Sequence, residues 1–500
     1  MANQYVPEHN RIQQIIGWLA QQGVAAYLVG GCVRDRLLGR PVYDLDVVVD
    51  GDGLVLARRL ANHFQGDYYA LDKERSTGRA ILLLGEGKRL VVDVARLRGP
   101  TLAADLADRD FTINALAIDL RAPGEVIDLH HGLVHLQARL IHPVSPVSIH
   151  NDPVRILRAV RLAAELGFEL SAQAEALIQE GSSGLARVSG ERIRDELARL
   201  LALPHSASSL IRLDELGLLT LLFPELEPLR GLGQPPPHYL DALSHSLETV
   251  RALETLFSQP RAGNDAPSPP FPPPLQALTP FTDRLWAHLS TQINGGRPRL
   301  VTLKLTALLH DVGKPATCTL DMEGRPHFRG HHIQGTKSAA QVLQRLRFAK
   351  AEVHLGEVVV RNHMRPLLLA KQESVSSSAV YRFFRDTREA GIDVLIHALA
   401  DHQATYAPDA DEAHWFPLVA LTARMLSDYW EHHAERVAPP PLIDGYDLLR
   451  EFGLQPGPHI GELLETVREA QASGQVHTRD ESLELIRKQI SGDRTHLLRI

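Results

Sequence analysis

The stretch Gly30–Asp46, GGCVRDRLLGRPVYDLD, decides the fold of the N-terminal part of the chain. The apolar run Ala25–Val29 before it predicts a short buried strand. That strand ends on Gly30 and Gly31, where the missing Cβ atoms let backbone N–H groups come close to a phosphate. A short helix follows, and a second strand is expected from residue 43 to residue 49. The pattern therefore predicts a strand–helix–strand unit with a phosphate site at its first turn.

Asp44 and Asp46 are two positions apart on the second strand, so their side chains are expected to project from the same face. Two parallel carboxylates beside a phosphate site suit Mg²⁺, a hard cation that prefers oxygen ligands. A lone Gly-Gly is usually only a turn, and a lone Asp-x-Asp is usually a solvated strand end. Here both occur in order within one unit, with Arg34 and Asp35 between them. The combination indicates a functional site.

The order Gly-Gly, Arg-Asp, Leu-Leu-Gly and Asp-x-Asp closely resembles the signature of the class II tRNA nucleotidyltransferase and bacterial poly(A) polymerase family. The resemblance implies a nucleotidyltransferase head in which Asp44 and Asp46 are catalytic and bind Mg²⁺. The residues that it implies for positioning the triphosphate in this turn are Gly30, Gly31 and Arg34.

Two later segments of the head carry further expected site residues. Asp93 interrupts the apolar strand RLVVDVARL, which is costly unless the carboxylate is paired, binds a metal or faces solvent. It resembles the third catalytic carboxylate of the family. Residues 108–118, DRDFTINALAI, resemble the family's RRDFTINA segment, which contacts ribose and triphosphate, with Asp108 where Arg is commoner. The nucleotide contacts implied there are Arg109, Asp110 and Asn114, and the apolar stretch around Asn114 is expected to be helical.

Downstream of the head the pattern is helical, and NDPVRILRAVRLAAELGF spaces Asp152, Arg155 and Arg158 three residues apart. Asp152 and Pro153 would also make an ordinary helix start, and the arginines a solvated face. The motif resembles the family's amino-acid template for the incoming base, with Asn151 in place of the commoner Glu. It implies that all three residues bind the nucleotide.

The base-reading hypothesis rests on the edges of the bases. Cytosine and adenine present an exocyclic amino donor beside a ring-nitrogen acceptor, whereas guanine and uracil present a carbonyl beside an N–H. Asp152 would accept from the amino group while Arg155 donates to the ring nitrogen, which favours CTP and ATP without a nucleic-acid template.

A second group of metal-type residues lies between residues 236 and 405. His310 and Asp311 end the helix LTALLHDVGK, with His245 before them and Asp401 after them on other helices. A lone helical histidine is usually structural, but this combination resembles an HD-domain phosphohydrolase. It implies a second divalent metal on His245, His310, Asp311 and Asp401, which would acidify a water for attack on a phosphoester. Whether the domain is catalytically active stays open. Three more histidines in this part of the chain are His331, His332 and His363.

Composition limits the classes of protein that fit. With 500 residues, 44% of them hydrophobic and 23% charged, the chain is expected to be a soluble globular protein of about three domains. The net charge of −7 means that RNA contacts must come from local basic faces. Two distant cysteines fit a reducing cytoplasm. No signal peptide or membrane-spanning run is expected.

The expected fold class is α+β, with a nucleotidyltransferase head that has a small mixed sheet, followed by mostly helical parts. The predicted divisions are the head at 1–145, a base- and RNA-binding neck at 146–235, the HD domain at 236–405 and a tRNA-contacting helical tail at 440–500. Residues 259–280 are Pro-rich and are expected to be an insertion or flexible loop without a packed core.

The predicted function is template-independent addition of C and/or A to tRNA 3′ ends from CTP and ATP. The choice between CCA, CC and A alone stays open, as does the oligomeric state. One rival is a poly(A) polymerase, although GDGLVLARRLANHF replaces that group's Gly-Arg-Arg-Phe-Arg-Leu-like stretch. A rival of another class is an HD phosphohydrolase whose head only binds RNA.

Overall fold

The predicted strand–helix–strand unit forms at the start of the chain. The computed structural model describes residues 8–85, 88–257, 271 and 273–497. Helix α1 (Glu8–Ala20) precedes β1 (Ala26–Val29), α2 (Gly31–Leu37) and β2 (Asp44–Val49). Both strands begin one residue later than the sequence predicts, and the unit itself is confirmed.

The rest of the head completes a mixed seven-stranded sheet. Its remaining strands and helices are α3 (Gly53–Phe64), β3 (Asp67–Asp72), β4 (Thr77–Gly85), β5 (Lys88–Arg96), α4 (Leu102–Ala107), β6 (Leu116–Asp119), β7 (Val126–Asp128) and α5 (Gly132–Gln137). The strand order is β3-β4-β5-β2-β1-β6-β7, and β2–β5 is its parallel pair. The small mixed sheet that the sequence predicts is therefore present.

One segment of the head differs from its prediction. The stretch around Asn114 was expected to be helical, but only Thr112–Asn114 forms a 3₁₀ turn, and residues 116–119 are β6. Leu116, Ala117 and Ile118 are all buried, and a short apolar run of this kind fits a central strand as well as a helix. The helical prediction was wrong because tertiary pairing with β1 decides the conformation.

The sheet separates an apolar face from an acidic one. Leu45, Val47 and Val49 of β2 point into a core that also contains apolar residues of α1 and α3. Asp44 and Asp46 alternate with these residues and remain exposed on the opposite face. The period-two pattern thus separates the packing residues from the candidate chemistry.

Helices follow the head, as predicted. The elements up to residue 201 are β8 (Leu140–Ile141), α6 (Ser148–Asn151), α7 (Arg155–Leu166), β9 (Glu169–Leu170), α8 (Ala172–Gly181) and α9 (Gly190–Leu201), with a 3₁₀ turn at Ser182–Arg187. Strands β8 and β9 pair in parallel. Helix α7 ends at Gly167, whose φ of 67° is the left-handed value that favours glycine.

The remaining elements are almost all helical. They are α10 (Ser206–Glu215), α11 (Leu219–Leu222), α12 (Ala242–Leu256), α13 (Thr282–Ser290), α14 (Arg299–Leu309), α15 (Lys314–Thr317), β10 (Thr319–Leu320), β11 (Pro326–His327), α16 (His331–Arg345), α17 (Lys350–Asn362), α18 (Met364–Ala370), α19 (Ser377–Thr387), α20 (Gly391–Thr405), α21 (Phe416–Trp430), α22 (Gly445–Phe452), α23 (Pro458–Ala472) and α24 (Arg479–Leu497). 3₁₀ turns lie at Pro224–Leu229, Leu275–Phe281, Arg388–Ala390 and Glu412–Trp415, and a π turn lies at His433–Val437.

The Pro-rich segment 259–280 differs in part from its prediction. Residues 259–270 and 272 lie outside the described part of the chain, but Leu275–Phe281 forms a 3₁₀ helix. Leu275 and Leu278 are buried, so the end of this segment does contribute to a core. Prolines prevent regular hydrogen bonding, yet they do not prevent the apolar residues between them from packing.

The chain divides into two compact units, residues up to 200 with 215–218, and 201–214 with 219–500. The finer division into head, neck, HD domain and tail stays a prediction. Among the described residues, no helix combines the length and the apolar character needed to cross a membrane.

Candidate functional site

Three carboxylates share the exposed face of the head sheet. Asp44 and Asp46 project from β2, and the parallel register of β2 with β5 pairs Asp46 with Asp93. Asp93 alternates with buried Val92 and Val94, so it faces the same side as the other two. The structure therefore brings together the three acidic residues that were singled out from the sequence.

An arginine that the sequence reasoning missed pairs with the third carboxylate. Arg79 of β4 lies opposite Asp93 in the antiparallel register. Its Nε and Nη2 atoms donate to the two carboxylate oxygens of Asp93, each at 2.8 Å. Such a bidentate pair fixes the Asp93 side chain and partly neutralises the acidic face. The detectable signal was a single arginine at the start of an otherwise apolar strand.

The turn at Gly30 lies directly against Asp46 and Arg109. Gly30 has a φ of 78°, and a Cβ there would be 3.0 Å from Arg109 Nη1 and 3.1 Å from Asp46 Oδ2. Asp46 stays accessible to solvent, but the protein atoms around it raise the pKa of its carboxyl. Arg109 opposes this increase, whereas the Asp93 and Asp44 carboxylates add to it. Glycine is required here because a side chain would fill the space between the two charges.

A buried carboxylate holds Arg109 in place. Asp105 of α4 is fully buried, and its Oδ2 accepts from Arg109 Nε at 3.1 Å and from Nη2 at 2.9 Å. Its Oδ1 accepts from the backbone N–H of Arg98 at 3.1 Å. Asp105 therefore orients the guanidinium that borders the acidic face. The sequence reasoning did not find Asp105, since a lone acid in a short helix is typical of a surface position.

Four of the predicted nucleotide-binding residues contact one another. Arg34 Nη1 donates to Asn114 Oδ1 at 2.7 Å, and Asn114 Nδ2 donates to Asp110 Oδ1 at 3.0 Å. Asp110 Oδ2 in turn accepts from Arg158 Nη1 at 3.2 Å. Burial alone would raise the pKa of Asp110, but Arg158 and Asn114 outweigh it and the pKa is lowered. These side chains form one polar network.

The network continues through Glu196 of α9, which the sequence reasoning missed. Its two carboxylate oxygens accept from Arg158 Nε at 2.9 Å and from Arg161 Nε at 2.7 Å, and Arg161 also pairs with Glu165. Burial would raise the pKa of Glu196, but the two arginines lower it overall. The arginine row of α7 is thus an ionic network rather than a solvated face.

Asp152 is not the cap of α7. The residue before that helix is Val154, which makes no side-chain cap bond, and the Asp152 carboxylate accepts from Arg192 Nη2 at 2.7 Å. Arg155 is buried and donates to the backbone carbonyls of Arg109 and Ser148 at 3.2 Å and of Asp108 at 2.7 Å. Its Nε lies 3.8 Å from Asp152 Oδ2. The two residues are neighbours, as the base-reading hypothesis requires.

The second candidate site is a buried cluster of histidines and aspartates. His245 Nε2 lies 2.9 Å from Asp401 Oδ1, and His310 Nε2 lies 3.2 Å from Asp311 Oδ2. His331 and His363 join these four residues through their Nε2 atoms, which are 3.1 Å apart. In three overlapping triads the potential ligand atoms all lie within 4.8 Å of one another. The six residues of this histidine cluster are His245, His310, Asp311, His331, His363 and Asp401.

Backbone carbonyls fix the orientation of the four imidazoles. The Nδ1 atoms of His310, His331 and His363 lie 2.7 to 2.8 Å from the carbonyl oxygens of Ala307, Phe328 and Val360, and that of His245 lies 3.3 Å from Ala404 O. An Nδ1–H that donates to a carbonyl leaves Nε2 with its lone pair directed at the cluster. This arrangement is typical of imidazoles that are prepared to bind a metal.

The charge states also suit a cation. Burial would raise the pKa of both Asp311 and Asp401, but neighbouring imidazoles outweigh it and hold both values well below the ordinary range. Burial lowers the pKa of His363 well below its usual value, so its ring is neutral. Lys314, which the sequence reasoning gave no role, contacts the Asp311 carboxylate and the Gln234 side-chain oxygen.

Three family models match the chain. The Poly A polymerase head domain matches residues 26–142, the RNA- and SrmB-binding site of polymerase A matches 167–229, and tRNA nucleotidyltransferase domain 2 matches 436–486. The A-adding tRNA nucleotidyltransferase of Deinococcus radiodurans is 33% identical over 469 residues, which cover 93% of this chain and 95% of that protein. This chain belongs to the class II tRNA nucleotidyltransferase family.

Other members of the tRNA nucleotidyltransferase family match over similar lengths. The CC-adding enzyme of Thermus thermophilus is 34% identical over 91% of this chain and 92% of its own, and that of Geobacter sulfurreducens is 33% identical over 95% of both. Among solved structures, a CCA-adding enzyme in complex with ATP has a TM-score of 0.62 at 23% identity, covering 97% of this chain and 95% of that one. The predicted family and fold are confirmed.

Membership in the tRNA nucleotidyltransferase family implies Mg²⁺ on the acidic face, and the residues present fit that ion. Asp44, Asp46 and Asp93 offer only oxygen donors, on an exposed face where like charges repel one another. Mg²⁺ prefers oxygen ligands and keeps part of its water shell. The roles of the individual site residues remain predictions.

Proposed function

We propose that this chain transfers nucleotides from CTP and ATP to the 3′ end of tRNA without a nucleic-acid template. The observation that carries this proposal is the acidic face of Asp44, Asp46 and Asp93 beside the Gly30 turn and Arg109. The relatives that match almost the full chain carry the names A-adding and CC-adding tRNA nucleotidyltransferase. Addition of C and A to the same class of acceptor fits both names.

The head residues would have different roles in binding the metal and the triphosphate. Asp44 and Asp46, with Asp93 beside them, would hold Mg²⁺, which when bound lowers the pKa of the attacking hydroxyl and neutralises triphosphate charge. The Gly30 turn would leave space for the triphosphate, and Arg109 would contact it from the direction that Asp105 fixes. Arg34 would act through the polar network, since it contacts Asn114 and Asp35.

Base choice would come from Asp152 and Arg155. The exposed Arg192 keeps the Asp152 carboxylate ionised, since the pKa of Asp152, which burial would raise, is lowered by this pair. The Arg155 guanidinium carries five N–H donors, and its three bonds to carbonyls account for three of them. Arg155 can therefore donate to a ring nitrogen while it still holds the backbone around Asp108 and Arg109.

The direct test uses radiolabelled CTP and ATP with three tRNA substrates, ending at the discriminator base, at C and at CC. Addition of C to the first two and of A to the third would indicate CCA synthesis. Addition restricted to the first two, or to the third, would indicate a CC-adding or an A-adding enzyme. Efficient extension of an unrelated transcript that ends in A would instead support a poly(A) polymerase.

We also propose a second activity, a metal-dependent phosphohydrolase at the histidine cluster. The supporting observation is the set of four imidazoles whose Nδ1 atoms contact carbonyls, beside two ionised carboxylates. The substrates that suit such a site are 2′,3′-cyclic or 3′-phosphorylated RNA ends, because a bound metal supplies an acidified water for attack on a phosphoester.

His310→Ala should remove hydrolysis of these ends and spare nucleotide addition, while the Asp44→Ala, Asp46→Ala variant should do the reverse. Both activities are measured on the same protein preparations with Mg²⁺, Mn²⁺, Ni²⁺ and Co²⁺. If none of these ions supports hydrolysis by the wild-type protein, the cluster is structural.

A further inference from the structure

A row of side chains crosses the head sheet from the acidic face to its edge strand. The register pairs Asp46 of β2 with Asp93 of β5. It also pairs Asp93 with Arg79 of β4, and Arg79 with Tyr69 of β3, the edge strand. Residues that pair directly project from the same face of a sheet, so these four side chains share the exposed face. The row ends on a tyrosine that is 52% exposed.

Apolar side chains lie beside this row on the same face. Leu82 of β4 is buried in the core, so its neighbours Ile81 and Leu83 project from the opposite face. Leu83 is 63% exposed, and Val91 of β5 lies opposite Ile81. The solvated face of a sheet is ordinarily polar, whereas β4 is apolar on both faces, which indicates that a partner covers its outer face. The outer apolar patch consists of Tyr69, Ile81, Leu83 and Val91.

Two arginines place positive charge around the outer apolar patch. Arg79 lies between the patch and Asp93, and its side chain stays partly exposed although it pairs with that carboxylate. Arg89 of β5 lies opposite Leu83 and is exposed, while Asp67 of β3 adds one negative charge at the edge strand. Aromatic and cationic side chains on one surface are typical of sites for single-stranded nucleic acid, where bases stack on rings and arginines contact phosphates.

The position of the patch indicates which part of an RNA it would hold. Neighbouring strands are ~4.8 Å apart, so the three spacings from Asp46 to Tyr69 place their backbones about 14 Å apart. A 3′ hydroxyl that reacts at the acidic face leaves the nucleotides before it over the adjoining surface. The patch is that surface on the β4 and β3 side of the carboxylates.

We propose that the outer apolar patch binds the unpaired nucleotides that precede the 3′ end of the tRNA, with one base stacked on Tyr69. The inference rests on the proposed nucleotide addition and names the surface that holds the acceptor strand. RNA is favoured over a second copy of this chain, because the patch is continuous with the acidic face and Arg79 borders both.

The test compares wild type with Tyr69→Ala and Tyr69→Phe in nucleotide addition and in tRNA binding by filter retention. Tyr69→Ala should raise KM and the dissociation constant for a tRNA ending at CC about tenfold, as expected for the loss of one base–aromatic stack. KM for CTP and ATP should not change, because Tyr69 lies away from the acidic face. Tyr69→Phe should keep the wild-type values, since the ring rather than the hydroxyl stacks.

Leu83→Asn tests the patch away from the tyrosine and should weaken tRNA binding to a smaller extent. Its matched control is Val55→Asn. Val55 is 53% exposed on α3, which packs on the core face of the sheet, so its substitution should leave tRNA binding unchanged. Melting temperatures show whether each variant is folded.

A measurement on wild type alone covers variants that fail to fold. A tRNA that ends at CC and carries 4-thiouridine as its discriminator base should cross-link under ultraviolet light to the tryptic peptide 60–73, which contains Tyr69. Cross-links confined to other peptides would overturn the inference.

Failure of the two proposals can be told apart. If wild type adds neither C nor A to any of the three tRNA substrates, the proposed function is wrong and the inference fails with it. If wild type adds nucleotides but Tyr69→Ala binds tRNA equally tightly, only the inference is wrong. It is also wrong if Tyr69→Ala loses as much affinity for a tRNA trimmed to its paired stem. A wild-type dimer that Leu83→Asn dissociates in ultracentrifugation would make the patch an interface between copies instead.

Discussion

The acidic face of the head and the histidine cluster are built in opposite ways. Asp44 and Asp46 project from one exposed strand face, and the cations that approach this face, Arg79 and Arg109, come from other elements. The histidine cluster is buried between helices, with four of its rings oriented by backbone carbonyls. The acidic face is open to large charged substrates, whereas the histidine cluster is part of a buried core. Substitutions in the acidic face should therefore affect turnover alone, whereas substitutions in the histidine cluster should affect both turnover and stability.

The largest expected effect is a loss of nucleotide addition in the head without a matching loss of stability. The Asp44→Ala, Asp46→Ala variant should lose nucleotide addition by ~1000-fold or more, because both carboxylates that would hold Mg²⁺ are gone. Its free energy of unfolding should change by only about 0.5 kcal/mol, since both residues are exposed. The measurements are single-nucleotide incorporation at saturating Mg²⁺ and urea unfolding.

The control for the carboxylate pair is Asp50→Ala, an exposed acid just after the same strand, which should keep full activity. Retained addition by the double variant would show that the acidic face is not the catalytic site.

The head unit also contains a buried ionic network, so a substitution there can change stability as well as turnover. Glu196→Gln should destabilise the protein by about 3 kcal/mol at pH 7, because Arg158 and Arg161 lose a buried partner charge. The pKa of Glu196 is lower in the folded state than in the unfolded state, so its stabilising effect is present above the unfolded pKa and is lost as pH falls through the folded pKa.

The difference in unfolding free energy between wild type and Glu196→Gln should thus narrow as pH falls below about 4.5, the ordinary pKa of Glu. Urea titrations from pH 7 to 3.5 measure it, with the exposed Asp195→Asn as control. A difference that is constant with pH would contradict the ionic interpretation.

A smaller effect is expected for base choice. Arg155→Ala should reduce the preference for CTP and ATP over UTP and GTP by about tenfold, within the range for one bidentate base contact. Incorporation of all four triphosphates on a tRNA lacking its end measures the preference, and the exposed Arg199→Ala is the control. If Arg155→Ala keeps the wild-type preference, Arg155 only holds the backbone carbonyls and the template hypothesis is wrong.

The smallest effect is expected for Asp105, the buried carboxylate that orients Arg109 beside the acidic face. Asp105→Asn should weaken triphosphate binding by about fivefold, because the asparagine keeps one acceptor but loses the charge that orients Arg109. KM for CTP and ATP and the inhibition constant of pyrophosphate should rise together with little change in kcat. Asp108→Asn, on an exposed acid nearby, should change neither constant. A fall in kcat alone would exclude a positioning role through the triphosphate.

The local sequence pattern was sufficient to predict structure where the backbone conformation of single residues determines it. Gly30 and the alternation of Asp44 and Asp46 with apolar neighbours predicted the turn, both strands and the acidic face. The run at residues 116–119 was misread, because its periodicity does not distinguish a short buried helix from a central strand.

Residues that act through tertiary contacts could not be read from the sequence. Asp105 and Glu196 look like surface acids of amphipathic helices, and only the packing shows that each is buried against arginines. His331 and His363 were noted as histidines, but their approach to Asp311 depends on how α16 and α17 fold back on α14. The predicted residue set stays a prediction, and it lacks the buried partners Asp105 and Glu196 that only the packing reveals.

The parallel pairing of β2 with β5 also constrains when the enzyme can become active during synthesis. Asp46 and Asp93 are neighbours in space, yet α3, β3 and β4 separate their strands along the chain. Contacts between distant segments form late, because the intervening chain must first be ordered. During synthesis, β2 can pair with β1 soon after it emerges, but the third carboxylate arrives only when β5 docks. A nascent chain that stops before β5 would hold the aspartate pair without its acidic neighbour, so nucleotide transfer should begin only after the whole β3–β5 meander has been made.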